Sequence, residues 1–173
     1  IFKYVKNEVS KIEKPTVLDA YAGIATFGIC VSDVAEKVTS VEENSSSIQK
    51  AKEVLKSNNI KNVELFAQDT LRYLKSIKKK FDIIILDPPR KGCTQEVLDE
   101  VLRHLKSNHS KAESDEILRS AQNDAIAEGA SKGKIIYVSC NPATLARDLK
   151  YLTEHGAKVE SIQPFDMFCH TYH

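Results

Sequence analysis

The chain has 173 residues, 42% of them apolar and 28% charged, with a net charge of +1, a profile that suits one globular domain with a core needing neither disulfides nor metal. No run of about 18 apolar residues and no signal-peptide pattern is present, so a membrane protein is not expected and the cytoplasm is the expected location. The near-neutral balance gives no general pull toward nucleic acid, and Cys30, Cys93, Cys140 and Cys169 form no C-x-x-C pair, which argues against zinc and a secreted disulfide frame.

Phe2, Val5, Val9 and Ile12 repeat at helical spacing, so the chain starts within a helix. From Thr16 onward, Val- and Ile-rich runs alternate with longer amphipathic stretches, the pattern of a parallel sheet covered on both faces. The first strand is 16–20, followed by a helix through about Ala35. The second is 37–41, closing on Glu42, and leads to a helix over 45–58 with Ile48, Ala51, Val54 and Leu55 on one face. The third is 63–67, ending near Asp69. The fourth is 81–86, an apolar run halted at Asp87-Pro88-Pro89, where proline cannot continue the ladder. A helix should follow it. Residues 107–132 break the alternation with a polar stretch that reads as a surface insertion, within which Ile117, Leu118, Ala121 and Ala125 could form one weak helix. The fifth strand is 134–139, 145–155 reads as a helix stopped by Gly156, and 158–168 as one or two closing strands.

In such a sheet, ligands bind beyond the carboxyl ends of the strands, where strand order reverses. Asp19, Glu42, Asp69 and Asp87 fall at or just past the ends of the first four strands; helix capping is the plain alternative for any one of them. Gly23 permits close backbone approach, and Glu42 follows it at the spacing by which an acid at the end of a second strand holds ribose hydroxyls. The segment Leu18-Asp19-Ala20-Tyr21-Ala22-Gly23 lacks the glycine triplet of a dinucleotide fingerprint, so a nucleoside without phosphates, such as S-adenosylmethionine, is the better fit.

Two segments are more specific: Asp87-Pro88-Pro89-Arg90-Lys91-Gly92, and Ser139-Cys140-Asn141-Pro142-Ala143-Thr144-Leu145-Ala146-Arg147-Asp148. With the tail Phe165-Asp166-Met167-Phe168-Cys169-His170-Thr171-Tyr172-His173, they resemble the RNA (uracil-5-)-methyltransferase family, which makes 5-methyluridine in ribosomal and transfer RNA. The resemblance implies an α/β fold with a doubly wound, mostly parallel seven-stranded sheet of the class I S-adenosylmethionine-dependent (Rossmann-like) type. It implies S-adenosyl-L-methionine as cofactor and RNA as partner. Cys140 would be the nucleophile, Asp87 would serve the methionine moiety and the target base, and Asp19, Tyr21, Gly23, Thr26, Glu42 and Asp69 would complete the cofactor site. No metal is implied in this segment.

The chemistry gives the cysteine its reason. Uracil C5 is too weak a nucleophile to take a methyl group unaided, and a thiolate adding at C6 pushes electron density onto C5. The alternative for Cys140 is a small core residue, for Tyr21 a core aromatic, and for Thr26 a solvated first helical turn. Arg147 and the helix beginning near Thr144 are candidates to help the thiol ionise, and Arg147 could equally pair with Asp148. Cys30 reads as core, while Cys93 and Cys169 carry no implied role.

The family's proton-removing glutamate lies just beyond the His-Thr-x-His segment, a cofactor-binding glutamine lies ahead of the first helix, and an amino-terminal RNA-binding barrel precedes both. None is in this sequence, so impaired turnover is expected of it alone. Three other readings are an RNA cytosine-C5 methyltransferase, where a cysteine would stand at Arg90, an amino-group methyltransferase, where an aromatic would stand there, and a non-catalytic cofactor- or RNA-binding module.

Overall fold

The computed structural model describes residues 1–106 and 133–166. The elements in chain order are α1 (Phe2–Val9), β1 (Thr16–Ala20), α2 (Thr26–Val31), β2 (Lys37–Glu42), α3 (Ser45–Ser57), β3 (Val63–Ala67), α4 (Thr70–Ser76), β4 (Ile83–Leu86), α5 (Gln95–His104), β5 (Lys134–Tyr137) and α6 (Pro142–Glu154). All strand pairings are parallel, in the order β3-β2-β1-β4-β5. Strand order reverses between β1 and β4, so the carboxyl ends of these two strands flank the crevice where such sheets take ligands.

The side-chain period of two divides the core between the faces of the sheet. Ile83 and Ile85 of β4 pack with Val17, Val38, Val63 and the helical residues Val5, Val9, Val31 and Leu55, on the α1–α2–α3 side. Ile84 and Leu86 pack with Leu18, Val41, Leu74, Leu98, Val101 and Leu152, on the α4–α5–α6 side. Each fully buried Ile or Leu contributes roughly 1.5–3 kcal/mol over its exposed state. That two-sided burial explains why β4 reads as an unbroken apolar run.

Several expectations change. The helix after β1 stops at Val31 instead of near Ala35, because Ser32 and Val34 turn back onto carbonyls three residues earlier. β4 begins at Ile83, and Phe81 instead bridges to Leu105. The short helix α4 had left no mark in the apolar spacing; it forms because Asp69 caps it and Tyr73 and Leu74 anchor it. α6 starts at Pro142, three residues earlier than its apolar spacing suggested, with proline where a missing N–H costs nothing.

The sheet is parallel and five-stranded among the described residues, in keeping with the expected doubly wound α/β class, and the expected count of seven strands is not reached within them. Residues 158–166 form no strand and are exposed, so their apolar members Val159, Ile162 and Phe165 do not line a sheet face. Residues 107–132, with their expected insertion helix, and residues 167–173 lie outside the described residues. No described helix is long and apolar enough to cross a membrane.

Candidate functional site

The turn after β1 is held in an unusual backbone shape. Tyr21, Gly23 and Ala25 take φ values of 59°, 55° and 60°, a left-handed region that costs two of these three residues real strain. The surroundings fix it. Glu42, the last residue of β2, accepts from the Gly23 N–H at 2.9 Å with one oxygen and from the Asn44 N–H at 2.9 Å with the other. A Cβ placed on Gly23 would meet nothing within 4 Å, so the turn presents bare backbone to open space.

Asp19 stands apart from the other three acids. It is completely buried, and its Oδ2 accepts from the Gly28 N–H at 2.9 Å and the Ser40 hydroxyl at 3.1 Å. Its Oδ1 is buried without a hydrogen-bond partner, and burial pushes the carboxyl up to about 7. Gly28 is required here because a Cβ would lie 2.4 Å from Ser40 Oγ and 2.9 Å from Asp19 Oδ2. Asp19 thus holds α2 and β2 through Oδ2, while Asp87 and Glu42 lie near enough to push its carboxyl further up.

Asp69 caps α4 by accepting from the Arg72 N–H at 2.9 Å, so the capping alternative describes one of its oxygens. Thr26 is exposed on the first turn of α2. Tyr21 packs against the α4–α5–α6 core, its hydroxyl beside the Cys93 thiol, and burial raises its phenol above the ordinary tyrosine range. Asp87 lies just past β4, its N–H donating to the Ala20 carbonyl at 3.4 Å and its carboxylate without a hydrogen-bond partner among the described residues; partial desolvation raises that carboxyl above the usual range.

β4 and β5 are hydrogen-bonded neighbours with Leu86 opposite Tyr137, so the segments beginning at Asp87 and Val138 leave the sheet side by side. Cys140 is exposed on the turn between β5 and α6. Asn141 caps α6 by accepting from the Ala143 N–H at 3.0 Å, which sets the thiol-bearing turn at the helix amino terminus. The same Asn141 donates through Nδ2 to the Arg90 carbonyl at 3.3 Å, and the Thr144 hydroxyl donates to that carbonyl at 3.1 Å.

Sequence reasoning left Arg147 with two roles, and its contacts answer to the second. Its Nε donates to Asp148 Oδ1 at 2.8 Å, and its Nη2 donates to the carbonyls of Lys91 at 2.9 Å and Cys93 at 3.1 Å. Asp148 and Tyr137 were not singled out for the site, yet both belong to its framework. The sign of Asp148 in the sequence was its place beside Arg147 at the end of the second motif, as a candidate ion-pair partner. Cys93 is buried and its thiol is pushed up to about 11 by burial, so it is inert there. Cys30 is half-buried and donates weakly to the Phe2 carbonyl at 3.7 Å. No cluster of three or more His, Cys, Asp or Glu suited to a metal occurs among the described residues.

The arrangement therefore has two halves, an open backbone turn with Glu42 and an exposed thiol beside Asp87. The comparisons with known proteins bear on both. Residues 1–128 match the family model described as Conserved hypothetical protein 95, and residues 121–173 match the one described as tRNA (Uracil-5-)-methyltransferase. A Thermotoga maritima protein described as an uncharacterized RNA methyltransferase is 37% identical over 173 residues, which is 100% of this chain and 34% of that protein. One of the same description from Clostridium tetani is 33% identical over 173 residues, covering 100% of this chain and 32% of its own length. The chain thus spans roughly a third of these curated relatives.

Among solved structures, Pyrococcus abyssi tRNA (uracil-54, C5)-methyltransferase in complex with S-adenosyl-L-homocysteine is similar at a TM-score of 0.61 and 28% identity, over 87% of this chain and 31% of that one. The precorrin-6y C5,15-methyltransferase of Geobacter metallireducens, at a TM-score of 0.67 and 19% identity over 90% of this chain and 69% of that one, shares the fold.

Proposed function

We propose that this chain, which belongs to the Conserved hypothetical protein 95 family by its residues 1–128, carries the S-adenosylmethionine site and the nucleophile of an RNA (uracil-5-)-methyltransferase, an enzyme that methylates C5 of a uridine in RNA. The observation that carries the reading is the exposure of Cys140 on a turn tied directly to the loop that follows Asp87.

The residues of the first half suit the methyl donor. The open face at Gly23 admits an adenosyl group against the backbone, and Glu42 can exchange its N–H partners for ribose hydroxyls. Tyr21 and Thr26 flank that turn, Asp69 keeps an oxygen free for the adenine amino group, and Asp87 can accept from the amino group of the methionine moiety or from the target base. When bound, S-adenosylmethionine supplies an electrophilic methyl group.

The second half acts on the base. The Cys140 thiolate forms a bond to C6, and the electron pair of the C5–C6 double bond moves onto C5, which becomes able to take the methyl group. Transfer of the C5 proton to a general base then returns the C5–H electron pair to the C5–C6 double bond as the C6–sulfur bond breaks and the thiolate leaves. The uridine must be single stranded or flipped out of its stack to reach Cys140.

Release of tritium from RNA carrying 5-tritiated uridine tests this in the full-length protein. Release that requires S-adenosylmethionine is expected. Methyl incorporation without tritium release would place the methyl group on another atom.

A further inference from the structure

The loop that carries Asp87 and the turn that carries Cys140 belong to different strands, and the described residues show what keeps them together. Arg147 and Asp148 sit on α6, two turns beyond the thiol-bearing cap. Asp148 is 1% exposed, and its Oδ2 accepts from the Cys93 N–H at 2.8 Å and the Tyr137 hydroxyl at 2.6 Å. Arg147 pairs with the other oxygen and donates to two loop carbonyls, at Lys91 and Cys93. Gly92 fits between them only because it lacks a side chain: a Cβ would fall 2.5 Å from Asp148 Oδ2 and 2.6 Å from Arg147 Nη2, and its φ is +74°. The Gly92 N–H donates to the Pro89 carbonyl at 2.8 Å, closing the loop on itself.

We infer that Arg147 and Asp148 are positioning residues, a clamp that fixes the 87–93 loop against α6 and thereby sets where the Cys140 thiol stands relative to Asp87. The inference rests on the reading of Cys140 as the nucleophile. Arg147 pairs with Asp148 through Nε and reaches the Lys91 and Cys93 carbonyls through Nη2, so these groups serve the loop. With Asn141 and Thr144 gripping the Arg90 carbonyl, α6 holds the loop at positions 90, 91 and 93. A buried carboxylate with three donors converging on it makes this contact selective, since the donors it serves would be left unpaired without it.

The test uses Asp148→Ala and Gly92→Ala in the full-length protein, compared with the parent and with Cys140→Ser at a temperature well below unfolding. Single-turnover methyl transfer is measured together with S-adenosylhomocysteine affinity. A displacement of the reacting groups by about 1 Å costs on the order of 10²-fold in rate. The expected result is that loss in both clamp variants, with affinity for S-adenosylhomocysteine falling by less than about tenfold, the scale of one hydrogen bond, because Gly23 and Glu42 lie outside the clamped loop and Asp87 is the cofactor-site residue within it. Amide exchange across residues 88–94 should quicken in Asp148→Ala while that across residues 16–31 stays as in the parent. A general structural defect would move affinity, rate and both exchange regions together and would overturn the inference, as would an unchanged transfer rate. Transfer lost in Cys140→Ser but retained in the clamp variants sinks the clamp alone. Transfer retained in Cys140→Ser sinks the reading of the site on which the clamp rests.

Discussion

The two halves of the crevice are built by different means. On the β1–β2 side the shape comes from the backbone: three residues in left-handed conformation, a glycine facing open space, and a buried carboxyl beneath them at Asp19. On the β4–β5 side it comes from side chains, with Asn141, Thr144, Arg147 and Asp148 all reaching from α6 to one loop. A strained turn held by one glutamate can yield its hydrogen bonds to an incoming ligand. A loop held at several points cannot move without breaking these contacts together, the buried one from the Cys93 N–H to Asp148 among them. The difference suits a site that must admit and release a methyl donor on one side and hold a nucleophile still on the other.

The sharpest way to break this contrast is at the thiol. Cys140→Ser should lower methyl transfer by about 10⁴-fold or more, the scale seen when a covalent nucleophile is removed, while S-adenosylhomocysteine titration of the variant stays as in the parent. Equal losses of transfer and affinity would mean that the two halves are not separate.

On the other side, Asp19 makes stability depend on pH. Burial raises its carboxyl from an ordinary 3.8 to about 7, so the folded state holds that proton more tightly than the unfolded chain. Its contribution to stability is complete below about pH 4 and is lost as pH rises through about 7. Asp19→Asn should therefore remove a fall in Tm that the parent shows between those limits, measured by thermal unfolding across pH. A variant with the same slope as the parent would show that Asp19 is not the group responsible.

Glu42→Gln has a smaller expected effect. It weakens a carboxylate suited to ribose hydroxyls, so affinity for the methyl donor should fall about tenfold, in line with the loss of one charged hydrogen bond, with the rate at saturation kept. Smaller still is Asp69→Ala, which removes the α4 cap and should cost about 1 kcal/mol of stability in urea unfolding. A drop in cofactor affinity in the same variant would add the adenine contact to the capping one.

Much of this arrangement was legible in the sequence, and unevenly so. The β4 run and the Asp-Pro-Pro stop announced a buried strand because burial on both faces leaves no polar position to confuse the period. Cys140 was marked by its motif, whereas its exposed place depends on Asn141 and Pro142 starting α6 three residues before the apolar spacing begins. The complete burial of Asp19 was not legible, because an acid at a strand end looks the same in sequence whether it is exposed or buried, and only the packing of Gly28 and Ser40 shows which. Lys158 to Asp166 misled: Val159, Ile162 and Phe165 recur every third residue, which is not the period of two that a half-buried strand shows, and Pro164 removes a ladder donor. The clamp was hidden because its partners, Cys93, Tyr137 and Asp148, are far apart in sequence and meet only after β4 and β5 pair.

RNA containing 5-fluorouridine provides the most direct measurement, because fluorine at C5 cannot leave as a proton and the adduct should persist. With the full-length protein and S-adenosylmethionine, the expected result is a covalent complex on a denaturing gel whose cross-linked peptide contains Cys140. The same complex formed undiminished in Cys140→Ser, or no complex with an actively methylating parent enzyme, would contradict the account.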